Sequence, residues 1–346
     1  MSHSLLELVS KAWNNHILLS LSLELTYTCD LNCLFCYNDK NKRGRPLTLS
    51  KYQQILTQAR EMGCLYLTLT GGEPTLHKDF FSIGAFAARA GYFIRLKTHG
   101  VFDDLEMVKK IKAELNPAWI DISLHGATAQ TYENTTQKSG SYALLLRNLE
   151  LITAEGIRTR LVCVLTKYNQ RQVADIIKIG QQFNMPVNFD LQISPRDNGD
   201  ISPFHYSAEV EAIAAYFALI KQYDAGTFDF ADSESSDLKR SHIRSRYCCG
   251  AGAGNLNIDP YGTVFPCIGW KRALGNLRQQ NIADLWQNAS ALQQVRSDNK
   301  QAQQFRAENQ AKIGRAIYCP GRAELETGSV CSIYQNLARI MAAGKK

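Results

Sequence analysis

The chain has 346 residues, 45% hydrophobic and 21% charged, with a formal charge of +7, the balance of a soluble globular protein built as one large domain or a large domain plus a small one. No apolar run reaches the ~20 residues of a membrane span, and no dense Lys/Arg tract marks a nucleic-acid groove. Ten cysteines without a basic-then-apolar secretion signal argue for metal binding rather than disulfides and place the protein in the cytoplasm.

Residues 1–17 read as a short amphipathic lead-in helix. A first strand near residue 20 runs into LELTYTCDLNCLFCYNDK, Leu23 to Lys40, which holds Cys29, Cys33 and Cys36 spaced C-x3-C-x2-C. Thiolates are the usual ligands of iron–sulfur clusters, and a four-iron cluster takes four. Three would leave one iron open, and an open position separates a catalytic metal site from a structural one. A zinc site or inert buried thiols are the plain alternatives, although the spacing is unusual for zinc and no nearby histidine completes a tetrahedron.

A helix is expected from Ser50 to Met62, stopped by Gly63, then a buried strand, CLYLTLT, from Cys64 to Thr70. It ends in Gly71-Gly72-Glu73-Pro74, where a glycine pair lets backbone approach a ligand and Glu73 could face an ammonium group. Helical spacing from Phe80 to Ala90 precedes a strand, Tyr92 to Thr98, that ends in His99-Gly100. A helix, Leu105 to Leu115, leads to the strand Trp119 to His125, with Ser123 near its end. Two more helix–strand units follow: Tyr142–Ala154 with Arg158–Leu165, and Arg171–Phe183 with Pro186–Ile193. Cys64 and Cys163 lie inside strands and read as small core hydrophobes. His125 reads as structural more readily than as a residue touching substrate or cofactor. Six strand–helix units imply a parallel sheet with ligand loops beyond the strands' C-terminal ends. The cysteine loop, GGEP, Thr98 and Ser123 all fall there. Residues 194–206, dense in turn formers, read as a loop over that mouth, and a helix is expected from Ser207 to Tyr223.

Residues 226–246 turn polar and read as a linker or lid. Cys248-Cys249 opens a different texture: a hairpin over Asn255–Phe265 with Pro260-Tyr261-Gly262 at its tip, then Cys267, a helix beginning near Ile282, Cys319 and Cys331. Five thiols after residue 245 can hold one further four-iron cluster, or a structural zinc, with one thiol over.

Cys29, Cys33 and Cys36, with Phe35 before the third cysteine, resemble the signature of radical S-adenosylmethionine (SAM) enzymes, and GGEP matches that family's motif for the SAM amino group. Thr98-His99-Gly100 stands where the family often has Thr-Asn-Gly, and Ser123 resembles a serine that helps hold SAM. Cys249-x12-Gly262-x4-Cys267 resembles the C-terminal extension called SPASM or its shorter form, Twitch. The resemblance implies an α/β fold: a partial (β/α)6 TIM-type barrel over 18–225 with a small Twitch/SPASM-like domain over 247–346. It implies a [4Fe-4S] cluster with an open iron on Cys29, Cys33 and Cys36, and SAM near Phe35, Gly71, Gly72, Glu73, Pro74, Thr98 and Ser123. It also implies one auxiliary [4Fe-4S] cluster on Cys249, Cys267, Cys319 and Cys331. The remaining thiol, Cys248 or Cys249, could donate a hydrogen atom to a substrate radical or be a passive neighbour. The implied activity is reductive SAM cleavage to a 5′-deoxyadenosyl radical and modification of a ribosomally made precursor peptide, by epimerisation or cross-linking. A small-molecule oxidation or rearrangement is the alternative, and a metal-binding regulator with inert clusters a third. A flavodoxin or ferredoxin is the expected reductant, with no nucleic acid or membrane partner.

Overall fold

The structure, a computed structural model, describes residues 3–39, 41–224, 245–314 and 316–345. The expected linker or lid, 226–246, lies outside the described residues except for its last two. Six parallel strands alternate with helices: β1 (Ser20–Glu24), β2 (Tyr66–Thr70), β3 (Phe93–Thr98), β4 (Trp119–Ser123), β5 (Thr159–Val164) and β6 (Val187–Asp190). They lie in the sheet in sequence order. The sheet curves without closing, so the expected barrel is present as a partial one: the two ends of the sheet are β6 and a strand from the C-terminal region.

Alternate strand residues divide the work between the two faces. Leu21, Leu23, Leu67, Leu69, Ile94, Leu96, Ile120, Ile122 and Leu161 are at most 1% exposed and form the apolar core, each contributing about 1.5–3 kcal/mol. Cys64 and Cys163 are buried in the same core. The other face carries Ser22, Glu24, Thr68, Arg95, Lys97, Asp121, Arg160 and Asn188. Parallel strands covered on both sides read as continuous apolar runs, and a closed barrel fills its interior with branched apolar side chains. This inner face is polar instead.

The C-terminal region joins the same sheet. Strand β7 (Asn255–Ile258) pairs in parallel with β1, Ser20 opposite Asn255. Strands β8 (Thr263–Phe265) and β9 (Gly275–Asn276) follow antiparallel. The expected hairpin is therefore an extension of the barrel sheet, which local pattern could not reveal because the pairing spans more than 230 residues of chain. Five helices among the described residues went unread in the sequence: Ala129–Thr136, Gln310–Ile313, Pro320–Thr327, Gln335–Ala343, and Ser290–Glu308, whose polar surface weakens its apolar periodicity.

A buried ion-pair group seals the joint. Lys271 reaches Glu24 at 3.4 Å and Asp197 at 3.0 Å, and Asn257 Nδ2 donates to Glu24 Oε2 at 2.7 Å. Burial works against the Lys271 charge, but the Glu24 and Asp197 carboxylates more than offset it and hold its pKa above the ordinary value.

Candidate active site

Cys29, Cys33 and Cys36 lie on the loop after β1, all partly exposed. The loop is tied down from three sides. The backbone N–H groups of Asn32 and Leu34 donate to the carbonyls of Thr136 and Thr135, at 2.8 and 3.1 Å, at the end of the helix Ala129–Thr136. Arg196 Nη1 donates to the Cys36 carbonyl at 3.2 Å, and the N–H of Asp197 to that of Tyr37 at 2.8 Å. The turn-rich segment 194–206 thus clamps the thiol loop. Asn38 Nδ2 donates to the Gly71 carbonyl at 3.1 Å.

GGEP presses against this loop. The N–H of Gly72 donates to Thr26 O at 2.6 Å and that of Glu73 to Thr28 O at 2.9 Å. A Cβ on Gly71 would stand 2.4 Å from Thr26 O, and one on Gly72 would stand 2.3 Å from Thr28 O. The close approach that needs these glycines is between the two loops, with Gly71 at φ +139°. The expectation that Glu73 faces a ligand takes a different form. Its carboxylate is fully buried and accepts from Thr75 N (3.2 Å), Thr75 Oγ1 (2.8 Å), Thr98 Oγ1 and His99 N (both 2.9 Å). It braces the loops from beneath, leaving the Gly71–Pro74 backbone as the rim.

His99, in the position where the sequence departs from the family, bridges the same loops. Its Nε2 lies 2.8 Å from Asp30 Oδ1 and 3.3 Å from Glu73 Oε2, while its Nδ1 accepts from Val101 N at 2.9 Å. That pattern assigns the proton to Nε2. Burial opposes a charge on the ring, but the Glu73 and Asp30 carboxylates prevail and raise its pKa. The His99 hydrogen bond, ahead of the Lys138 ammonium, holds the Asp30 carboxyl well below the ordinary carboxylate range. Burial pushes the Cys29 thiol up to about 11.

Phe35 packs edge-on against His125, ring centroids 4.8 Å apart. His125 is buried and kept neutral by that burial, with its pKa lowered to about 4, and its Nδ1 accepts from Val164 N at 3.3 Å. It is a structural support for Phe35. Ser123 stands half-buried at the C-terminal end of β4. Below it, Asp121 receives Arg95 Nε at 2.6 Å and Arg160 Nε at 3.0 Å. These inner-face charges were missed because each strand was read as an apolar run; the signal was the polar residue at every second position.

The second thiol set is only partly gathered. Burial raises the Cys267 thiol, and Cys319 and Cys249 lie near enough to raise it further. Cys331 lies on a turn held by Tyr318, whose hydroxyl donates to Val330 O at 2.5 Å and accepts from Ser332 N at 3.0 Å. Tyr334 Oη accepts from Cys319 N at 3.2 Å. Cys248 is buried, and it, Cys319 and Cys331 all lie near Tyr318. Asn299, which no sequence motif flagged, encloses the doublet. Its Oδ1 accepts from Cys248 N (2.9 Å) and Cys249 N (3.2 Å), and its Nδ2 donates to Cys249 O (3.0 Å) and Ala251 O (2.8 Å).

The donor chemistry fits clusters better than single ions. Tetrahedral thiolates on one zinc sit ~3.8 Å apart, from Zn–S bonds of about 2.3 Å. Among the described residues, Cys29, Asp30 and His99 form the one group of three or more His, Cys, Asp or Glu ligand atoms within 4.8 Å of one another. Neither cysteine set is drawn together that tightly, and cluster thiolates, each on its own iron, need not be.

Residues 23–179 match the radical SAM superfamily, and residues 248–315 match the iron–sulfur cluster-binding domain SPASM. The chain is a radical SAM protein with a SPASM domain. A [4Fe-4S] cluster and SAM go with the first part and cluster binding with the second. The chain is 27% identical over 288 residues to mycofactocin maturase MftC of Mycobacterium ulcerans, covering 80% of this chain and 76% of that protein. It is 26% identical to PqqA peptide cyclase of Xanthomonas oryzae, covering 80% and 76%. It is 24% identical to AdoMet-dependent heme synthase of Methanosarcina barkeri, covering 79% and 83%. Among solved structures, AdoMet-bound anSMEcpe superposes with TM-score 0.69 at 15% identity, covering 94% of this chain and 95% of that one. Streptococcus suis SuiB bound to its precursor peptide SuiA gives 0.65 at 16%, covering 81% of this chain and 66% of SuiB. Both share the fold. Among the described residues no helix is long and apolar enough to cross a membrane.

Proposed function

We propose that the chain matures a ribosomally synthesised peptide by radical SAM chemistry, through epimerisation or cross-linking. In this reading Cys29, Cys33 and Cys36 hold the cluster that binds SAM, and the Gly71–Pro74 rim, Thr98, Ser123 and Phe35 shape the SAM pocket. Cys249, Cys267 and Cys319, with Cys331 drawn in, hold the auxiliary cluster. In this reading the other thiol of the doublet, Cys248, returns a hydrogen atom to the substrate radical. When bound and reduced, the first cluster would supply the one electron that splits SAM into methionine and the 5′-deoxyadenosyl radical, the species that takes hydrogen from substrate. The protein's part is to brace the thiol loop, exclude water and present the peptide.

The observation that carries this reading is the polar inner face of an open barrel, running down from the mouth where the thiol loop sits. An extended peptide can lie in an open trough and hydrogen-bond along it. Similarity to a mycofactocin maturase and a PqqA peptide cyclase over four fifths of the chain supports it. The heme synthase similarity favours a second reading, oxidation of a small molecule. Reconstituted protein, SAM and dithionite should release 5′-deoxyadenosine; no release ends the enzyme reading. With a precursor peptide, one solvent deuterium at an α-carbon marks epimerisation and a loss of two hydrogens marks cross-linking. Turnover of a porphyrin-type substrate with no peptide product selects the second reading.

A further inference from the structure

The helix Ala129–Thr136 is bound to the thiol loop at one residue in particular. The carbonyls of Thr135 and Thr136 accept from the N–H groups of Leu34 and Asn32, which stand on either side of Cys33. One turn earlier on the same helix is Tyr132, 0% exposed. Burial holds its pKa well above the ordinary phenol value, and Cys33 and Cys29 lie near enough to raise it further. The hydroxyl keeps its proton and is a donor. Yet among the described residues it has no hydrogen-bond partner.

The polar groups close to it are engaged elsewhere. Thr136 Oγ1 donates to Tyr132 O at 2.9 Å, and Thr135 Oγ1 to Thr131 O at 2.8 Å. Glu73 accepts from Thr75, Thr98 and His99, and Asp30 binds His99 and Lys138. Tyr142, its ring centroid 5.6 Å from that of Tyr132, shows the ordinary arrangement: its hydroxyl donates to Ala127 O at 2.8 Å. A buried donor left unpaired is costly and uncommon, so the placement of Tyr132 calls for an acceptor that the polypeptide does not supply. Beside Cys33 and Cys29 the acceptor chemistry at hand is sulfur. Hydrogen bonds to the sulfurs of an iron–sulfur cluster favour its reduced, more negative form and raise its potential.

We propose that the Tyr132 hydroxyl donates a hydrogen bond to a sulfur of the first cluster beside Cys33, and that this bond eases the cluster's one-electron reduction. Tyr132 is not a ligand to iron. The inference rests on Cys29, Cys33 and Cys36 holding that cluster, which loss of the first cluster's iron in Cys33→Ser checks separately.

The test compares full-length Y132F with the parent and with Y142F, each before and after cluster reconstitution. Without clusters, Y132F should melt no lower than the parent, because it loses an unpaired donor and keeps the ring. Reconstituted, it should gain less in melting temperature than the parent does. Its first cluster should reduce at a lower potential, with the auxiliary cluster's potential unmoved. In heavy water, one exchangeable deuteron coupled to the reduced first cluster should vanish from its double-resonance spectrum. Y142F, which loses a bond already made, should melt lower in both forms with potential and deuteron coupling kept. Difluorotyrosine placed at Tyr132, a stronger donor of nearly the same shape, should move the potential upward, and it covers the event that Y132F fails to hold iron. An unchanged first-cluster potential in both variants, or a full set of deuteron couplings in Y132F, overturns the proposal. So does equal destabilisation of Y132F with and without clusters, the result that a purely structural tyrosine gives.

Discussion

Thr98 Oγ1 lies 2.9 Å from each oxygen of the Glu73 carboxylate, wholly inside the protein. With Thr75 and His99 it makes Glu73 the joint of the thiol loop, GGEP and the end of β3. Removing the carboxylate leaves several buried donors without acceptors, which costs on the order of 3 kcal/mol. Glu73→Ala should lower the melting temperature and abolish SAM binding by calorimetry. Glu73→Gln, which keeps an acceptor oxygen, should retain part of both.

Gly71 and Gly72 face backbone oxygens of Thr26 and Thr28 that a rotamer change cannot move. Either Gly→Ala substitution must push the thiol loop outward, at a cost of about 1–3 kcal/mol. The readout is iron per chain after reconstitution. Loss confined to the first cluster, with the auxiliary cluster's spectrum kept, is the expected result.

The proposed assignment makes Cys249, and not Cys248, a ligand of the auxiliary cluster. Cys249→Ser should remove the auxiliary cluster, halving iron from about eight to about four per chain, while Cys248→Ser should keep all of it. Asn299→Ala should weaken the same cluster without touching a thiol, because four backbone groups of the Cys248–Ala251 turn lose their partner. Mössbauer and paramagnetic resonance spectra distinguish the cases. In the epimerase form of the reaction, Cys248→Ser should also leave product stereochemistry uninverted.

Lys271 sits between two carboxylates, so Lys271→Met leaves Glu24 and Asp197 buried together. The expected destabilisation is about 3–5 kcal/mol, measured by denaturant melting. Adding Glu24→Gln should recover part of it. Additive effects of the two substitutions would mean that the pair is not coupled.

His125 gives a pH dependence. Unfolded, it titrates near its ordinary 6.5; folded, burial lowers it to about 4. Between those values the unfolded chain binds the extra proton, so its contribution is present above 6.5 and is lost as pH falls through about 4. The loss is about 3 kcal/mol. The difference in stability between the parent and His125→Gln should shrink across that window; a difference constant with pH contradicts it.

Much of the site was legible because its chemistry depends on residue type and local spacing. C-x3-C-x2-C cannot be packed away as an ordinary hydrophobic pattern, and strand–helix alternation places strand ends by counting. Cys64 and Cys163 were read correctly as core for the same reason: each sits in a run of β-branched and aliphatic neighbours. His99 was left open, since its role depends on Asp30, 69 residues earlier. Asn299 was invisible, since an asparagine within a polar helix carries no pattern.

The sequence by itself determined the parallel order of β1–β6, the placement of Cys29, Cys33, Cys36 and GGEP at one end, and a second thiol set. Each follows from local propensity and short-range spacing. Only the tertiary structure decided that β7 extends the barrel sheet, that Glu73 braces the loops, and that Asn299 holds the backbone of Cys248 and Cys249. These depend on which distant backbone and side-chain groups meet when buried polar atoms find partners, a long-range condition that no window of sequence contains.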